Sequence, residues 1–224
     1  MTRTEILNAL ARTNRAETYL EIGVQHGRNL DAIAVPRKVG VDPAATVPVT
    51  YPCTSDEFFA RLDRHEISAP PDGFDLVFVD GSHLSEMVVR DVLNADRYLS
   101  RHGVIVMHDC SPPDPVAASR TTKGDTWCGD VWLAWVELRW RIAMSREMFV
   151  VDADLGVGVI LPEQGVPVAD TKPRWWRSPV DDEVPRQVRD EQGLPVIDYW
   201  HLNMNRQSWL NLMHPAYFSA RFSP

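Results

Sequence analysis

The chain has 224 residues, 44% of them apolar and 24% charged, and a formal charge of −8 at pH 7. That length suits one domain with a sizeable core and room for an added arm. The negative charge argues against a partner held through nucleic-acid phosphates. No apolar run approaches membrane-spanning length, and no signal-peptide core follows Met1-Thr2-Arg3-Thr4-Glu5, so a cytoplasmic protein without membrane contact is expected. Cys53, Cys110 and Cys128 are odd in number and lack Cys-x-x-Cys spacing, which points to free thiols in a reducing compartment. Eight tryptophans serve core and subunit packing in the plainer reading, and some could wall an acceptor pocket in the sharper one.

In chain order, Ile6, Leu7 and Leu10 fall at helical spacing over residues 4–13 and predict a short amphipathic helix on the sheet edge or over the ligand. Tyr19-Leu20-Glu21-Ile22 reads as a buried strand, and Gly23-Val24-Gln25-His26-Gly27 as a glycine turn into a helix that Pro36 helps to end. Lys38 to Pro43 reads as a second strand with Asp42 at its carboxyl end, about 20 residues after the first glycine, where an acid accepts ribose hydroxyls. Val47 to Cys53 is a candidate third strand. Thr54-Ser55-Asp56-Glu57 caps a helix carrying Phe58, Phe59 and Leu62.

Phe74 to Val79 is a continuous apolar run of the kind found in parallel strands covered on both faces, and it ends in Asp80-Gly81-Ser82-His83. A helix with an apolar stripe from Leu84 to Leu99 follows, then Gly103 to Met107, a strand ending in His108-Asp109-Cys110. Two neighbouring parallel strands thus bring an acid and a histidine each to the sheet edge where ligands bind. Residues 111–126 read as a long loop, and a helix apolar on nearly all sides follows Trp127 through Trp140. Strands at 147–151 and 156–161 are joined so closely that they must be antiparallel. Residues 162–197, rich in proline and charge, read as an extended arm before a final amphipathic piece. The organisation expected is a domain over 1–161 and an arm with a helix over 162–224, acting as a lid or a dimer contact.

Strand, Glu21-x-Gly23-x-x-x-Gly27, the acid after the second strand and the closing hairpin resemble the class I S-adenosylmethionine-dependent methyltransferases, over about residues 17–161. Together with Thr54 to Phe59, Phe78 to His83, Gly103 to Asp109 and Asp154 to Ile160, they are similar to a bacterial subgroup acting on small molecules and sugars. The resemblance implies an α/β, Rossmann-like, mostly parallel seven-stranded sheet with an antiparallel final hairpin and helices on both faces. It implies Glu21, Gly23, Gln25 and Gly27 around the methionine part of S-adenosyl-L-methionine, Asp42 at the ribose, and Ser55 and Asp56 near the adenine. Related macrolide-sugar O-methyltransferases use Asp-x-x-His after the fourth strand, with the Asp on Mg²⁺ and the His as base. Asp80-Gly81-Ser82-His83 matches this. Those enzymes follow the next strand with Glu-Asp, both metal ligands. Here the pair is His108-Asp109, which gives Asp80, His108 and Asp109 as the expected metal set. A histidine in that set admits Mn²⁺ or Zn²⁺ beside Mg²⁺.

The chemistry expected is methyl transfer to a hydroxyl of a small molecule, a sugar first. His83 is the base beside Asp80, and His108, Trp127 and Asp130 meet the acceptor. A homodimer is expected from the apolar helix and the arm. Four other readings stay open at this point. A nicotinamide oxidoreductase would want a middle glycine that Val24-Gln25-His26 does not supply. His83, His108 and Asp109 could imitate the triad of a metal-dependent oxygenase. A non-enzymatic cofactor-binding scaffold would not need these acids and histidines. A Cys110 hydrolase would lack a nucleophile elbow.

Overall fold

The structure, a computed structural model, describes residues 1–121, 126–142, 146–162 and 184–222. Parts of the expected loop (122–125) and most of the expected arm (163–183) lie outside the described residues. The elements are α1 (Arg3–Asn14), β1 (Thr18–Ile22), α2 (Arg28–Ala32), β2 (Arg37–Val41), α3 (Ser55–Asp63), β3 (Phe74–Val79), α4 (Ser85–Asp96), β4 (Leu99–Met107), α5 (Val131–Ile142), β5 (Met148–Val151), β6 (Val157–Ile160), α6 (Tyr199–Leu210), β7 (Leu212–Met213) and α7 (Pro215–Phe222). Seven strands form one sheet in the order β2-β1-β3-β4-β6-β5-β7. The pairs from β2 through β4 are parallel, β6 is antiparallel to both β4 and β5, and β7 returns parallel to β5. This is the expected Rossmann-like α/β architecture.

Side chains that alternate along a strand reach opposite faces of a sheet, and here both faces are covered. Leu20, Val77, Ile105 and Val150 enter one core with α3, α4, α5 and α6. Their neighbours Tyr19, Phe78, Val106 and Phe149 enter the other, with α1 and α7. Burial on both sides is why these strands read as unbroken apolar runs.

The edge beyond β2 differs from expectation. Residues 47–53 form no strand and make a single bridge, Val41 to Tyr51. Pro48 and Pro52 each lack the N–H that a ladder needs, so only Tyr51 pairs: its N–H donates to the Gly40 carbonyl over 2.9 Å, and its carbonyl accepts from Asp42 over 3.2 Å. The seventh strand is β7, two residues from the C-terminal piece. That piece is part of the body: β7 extends the sheet, and Phe218 and Phe222 of α7 pack with Phe149. No helix among the described residues is long and apolar enough to cross a membrane.

Candidate active site

The carboxyl ends of β1, β2, β3 and β4 open into a cavity of about 770 Å³, within the usual size range of small-molecule sites. Its first wall is the turn after β1. Gly23 has φ +88°, and a Cβ there would land on the Asp80 carbonyl. Only glycine lets the ends of β1 and β3 approach so closely. The turn is held from β2: Asp42 Oδ2 accepts the N–H groups of Val24 (2.9 Å) and Gln25 (2.8 Å), and Oδ1 accepts that of Ala44 (2.7 Å). A carboxylate offers about four acceptor positions. Three are taken by backbone, which leaves an acceptor position at Oδ1 for a ligand hydroxyl.

Glu21 is 1% exposed, and the Tyr19 hydroxyl donates to it over 2.6 Å. Burial pushes its pKa up from 4.5 to about 7, against the Tyr19 hydrogen bond, with the Asp80 charge adding to the rise and Arg3 opposing it. Ser55, Asp56 and Asp91 line the same cavity. Asp56 is paired with Arg90 at 2.6 Å, and burial lifts Asp91 to about 6 although the Ser55 hydroxyl bonds to it.

The chemistry-bearing groups converge as the strand ends predict. His83 Nε2 lies 3.8 Å from Asp80 Oδ1 and 3.5 Å from Asp109 Oδ2. His83 Nδ1 lies 2.9 Å from the Trp127 carbonyl. A carbonyl only accepts, so Nδ1 carries a proton and Nε2 is the nitrogen turned toward the acids. The ring stacks on the Trp127 indole, with centroids 4.6 Å apart and planes at 23°. Gly129, at φ +61°, packs against the root of the His83 side chain, where a Cβ would collide with the His83 carbonyl and Cβ. The His83 brace was not foreseen: it comes from the loop before α5, distant in sequence.

His108 is 4% exposed, with Nδ1 at 3.4 Å from Asp80 Oδ1 and 3.2 Å from Asp109 Oδ1, and Nε2 at 3.6 Å from Asp154 Oδ1. Burial alone would lower its pKa, but Asp109, Asp154 and Asp80 together hold it well above the usual range. The same contact with His108 holds Asp154 down at about 2. Arg3 Nη1 also lies 2.7 and 2.8 Å from the two ring nitrogens, and even a neutral ring can accept from it at only one of them. Three carboxylates around the ring outweigh it and favour the imidazolium. Arg3 and Asp154 were not foreseen as site residues. The Thr2-x-x-Glu5 capping box, which fixes Arg3 at the first turn of α1, was readable in the sequence.

The test for a metal comes from the same geometry. Ligand atoms of Asp80, His83 and Asp109 all lie within 4.8 Å of one another. Asp109, in a left-handed conformation at φ +62°, has its Oδ1 buried with His108 Nδ1 as the neighbour at 3.2 Å. Two carboxylates and an imidazole nitrogen fit a divalent ion, and the nitrogen favours Mn²⁺ or Zn²⁺ over Mg²⁺. The histidine of this group is His83, while His108 of the expected set has Nδ1 at 3.4 Å from Asp80 Oδ1 and 3.2 Å from Asp109 Oδ1. Among the expected acceptor contacts, His108 and Trp127 line the cavity and Asp130 does not. Asp130 is 4% exposed and caps α4 from outside: Oδ1 accepts the Ser85 N–H (2.7 Å), Oδ2 accepts the Ser85 hydroxyl (2.9 Å), and Arg120 pairs with it.

A protein-family model described as a methyltransferase domain matches residues 6–110. Among solved structures, an O-methyltransferase from Bacillus cereus in complex with SAH is 14% identical at TM-score 0.50, covering 72% of this chain and 82% of that one. A protein from Klebsiella pneumoniae assigned as an O-methyltransferase is 14% identical at TM-score 0.52, covering 71% and 79%. At such identities the likeness speaks for the fold. Comparison with curated protein sequences gives no match. The domain match covers just under half of the chain, and with the sheet order it makes the chain similar to methyltransferase domains of Rossmann-like fold.

Proposed function

We propose that the chain transfers a methyl group from S-adenosylmethionine to a hydroxyl of a small molecule, a sugar or saccharide being the first candidate. The observation that carries this is the placement of His83 Nε2 between Asp80 and Asp109 in the cavity, with Nδ1 held by the Trp127 carbonyl. The donor, when bound, supplies an electrophilic methyl on sulfonium. Gly23, Gln25 and Gly27 shape the turn that receives its amino-acid end, Glu21 faces the ammonium, Asp42 Oδ1 takes a ribose hydroxyl, and Ser55 and Asp56 border the adenine. An alcohol is a poor nucleophile until its proton leaves. His83 takes that proton at Nε2, and Asp80 and Asp109 stabilise the imidazolium that forms. Trp127 and Gly129 hold the ring in place, and position contributes most of the rate when oxygen and methyl are aligned. The flat face of Trp127 and the chain's net negative charge suit a neutral, hydroxylated acceptor.

A second reading rests on the converging ligand atoms: Asp80, His83 and Asp109 would hold a divalent ion, which would lower the pKa of the acceptor hydroxyl. A homodimer is also inferred, from Trp200, Met204 and Tyr217, which stand exposed on the C-terminal helices. Light scattering tests it, and a monomer at micromolar concentration would overturn it.

The functional test is transfer of labelled methyl to a panel of glycosides and other hydroxylated compounds, with and without EDTA. Transfer that survives EDTA and is lost in His83→Ala supports the base. Loss with EDTA, restored by Mn²⁺ or Zn²⁺, supports the ion. Absence of transfer across the panel, with no SAH binding, would overturn the methyltransferase reading of the site.

A further inference from the structure

We propose that Arg3 and Asn29 form the carboxylate-binding half of a clamp for the zwitterionic end of the methyl donor, and that they make the site selective for a donor that carries its carboxylate. This rests on the donor reading above and adds to it two residues that no motif in the glycine turn contains.

A free amino-acid end presents an ammonium and a carboxylate side by side. A site that takes both needs acids for the first and donors for the second. The acids are in place: Glu21 and Asp80 line the cavity at the ends of β1 and β3. Arg3 lines it too and lies close enough for its charge to act on Glu21. Its backbone is anchored, since its N–H donates to Asp154 Oδ2 over 2.7 Å and α1 is fixed in the core through Ile6, Leu7 and Leu10. Only one arm of its guanidinium is occupied. Nη1 faces His108 and Asp80, the latter at 3.5 Å, while Nε and Nη2 have no partner among the described residues. With its side chain 34% exposed, Arg3 keeps a free edge of its fork in a cavity otherwise rich in acids. Such an edge matches a carboxylate in two-pronged fashion.

Asn29 supplies the second donor. It is buried at 9% exposure, lines the same cavity, and its Oδ1 accepts the Thr4 hydroxyl over 2.5 Å. With its oxygen engaged, the carboxamide keeps its NH₂ for the cavity, and Nδ2 makes no hydrogen bond to a described residue. Thr4 follows Arg3 directly on α1, so a single helix turn sets both donors. Arg28 and His26 also line the cavity, but neither is fixed to α1 in this way.

The test is calorimetric binding of SAH and of its decarboxylated analogue, 5′-deoxy-5′-(3-aminopropylthio)adenosine, to the full chain. The native protein should prefer SAH by on the order of tenfold to a hundredfold, the range of a hydrogen bond to a charged group. Arg3→Gln should cut that preference to less than about threefold and leave the Kd of the analogue within about threefold, which also reports an intact fold. Asn29→Asp keeps the shape, reverses the electrostatics, and should erase the preference as well. An undiminished preference in both variants would overturn the clamp while leaving the donor reading standing, and would turn Arg3 toward an anionic group on the acceptor. No binding of SAH to the native chain would overturn the donor reading and the clamp together.

Discussion

Glu21 gives the sharpest stability prediction. Its carboxyl is 1% exposed, its one side-chain hydrogen bond is from Tyr19, and its pKa stands at about 7 against an ordinary 4.5. Because the folded-state value lies above the unfolded one, folding favours the protonated form. Stability therefore falls as pH rises from about 4.5 to about 7 and stays low above that. By linkage, the ionised carboxyl costs the fold about 1.4 kcal/mol at pH 5.5 and about 3.4 kcal/mol at pH 8.5. Glu21→Gln still accepts from the Tyr19 hydroxyl and removes the charge. Urea denaturation should show the Gln variant gaining on the native protein by about 2 kcal/mol between pH 5.5 and 8.5. At pH 8.5 it should be the more stable of the two and bind SAH more weakly, a trade of function against stability. A stability difference that stays constant with pH, or a Gln variant weaker than the native protein at pH 8.5, would refute this.

Other outcomes follow from the same geometry. His83→Ala should lose methyl transfer by about 10²- to 10⁴-fold with SAH affinity unchanged, measured by labelled transfer and calorimetry, since the ring acts on the acceptor and not on the donor. Asp42→Ala should cost about 1–3 kcal/mol in urea denaturation, because the buried Val24 N–H loses its acceptor while those of Gln25 and Ala44 turn to water. SAH binding should weaken with it. Gly23→Ala should destabilise by at least about 3 kcal/mol, through a left-handed φ and a Cβ placed on the Asp80 carbonyl, and should appear as a fall in Tm. Gly129→Ala should leave SAH affinity intact and lower transfer, because it displaces the base and not the donor.

Strands buried on both faces announce themselves as apolar runs, and β1, β3, β4 and the β5–β6 hairpin were legible for that reason. The convergence of Asp80, His83 and Asp109 followed from strand order alone, because adjacent parallel strands end at the same edge. Residues 47–53 misled because Val47, Val49 and Tyr51 alternate like a strand while Pro48 and Pro52 withhold donors. β7 was invisible: two residues carry no period, and only packing beside β5 makes Leu212 and Met213 a strand. Asp130 looked like an acceptor contact from its place near the site, but its partner is the start of α4, 45 residues away in sequence. The brace on His83 and the reach of Arg3 to His108, 105 residues away, are likewise products of tertiary contact, which no local pattern encodes.

The most direct test of the account is a crystal structure of the chain with SAH. The account predicts the amino-acid end in the Gly23–Gly27 turn beside Glu21, the ribose at Asp42, and the sulfur open toward His83, Asp80 and Asp109. SAH bound away from that turn, or bound there with its sulfur facing away from His83, would contradict it.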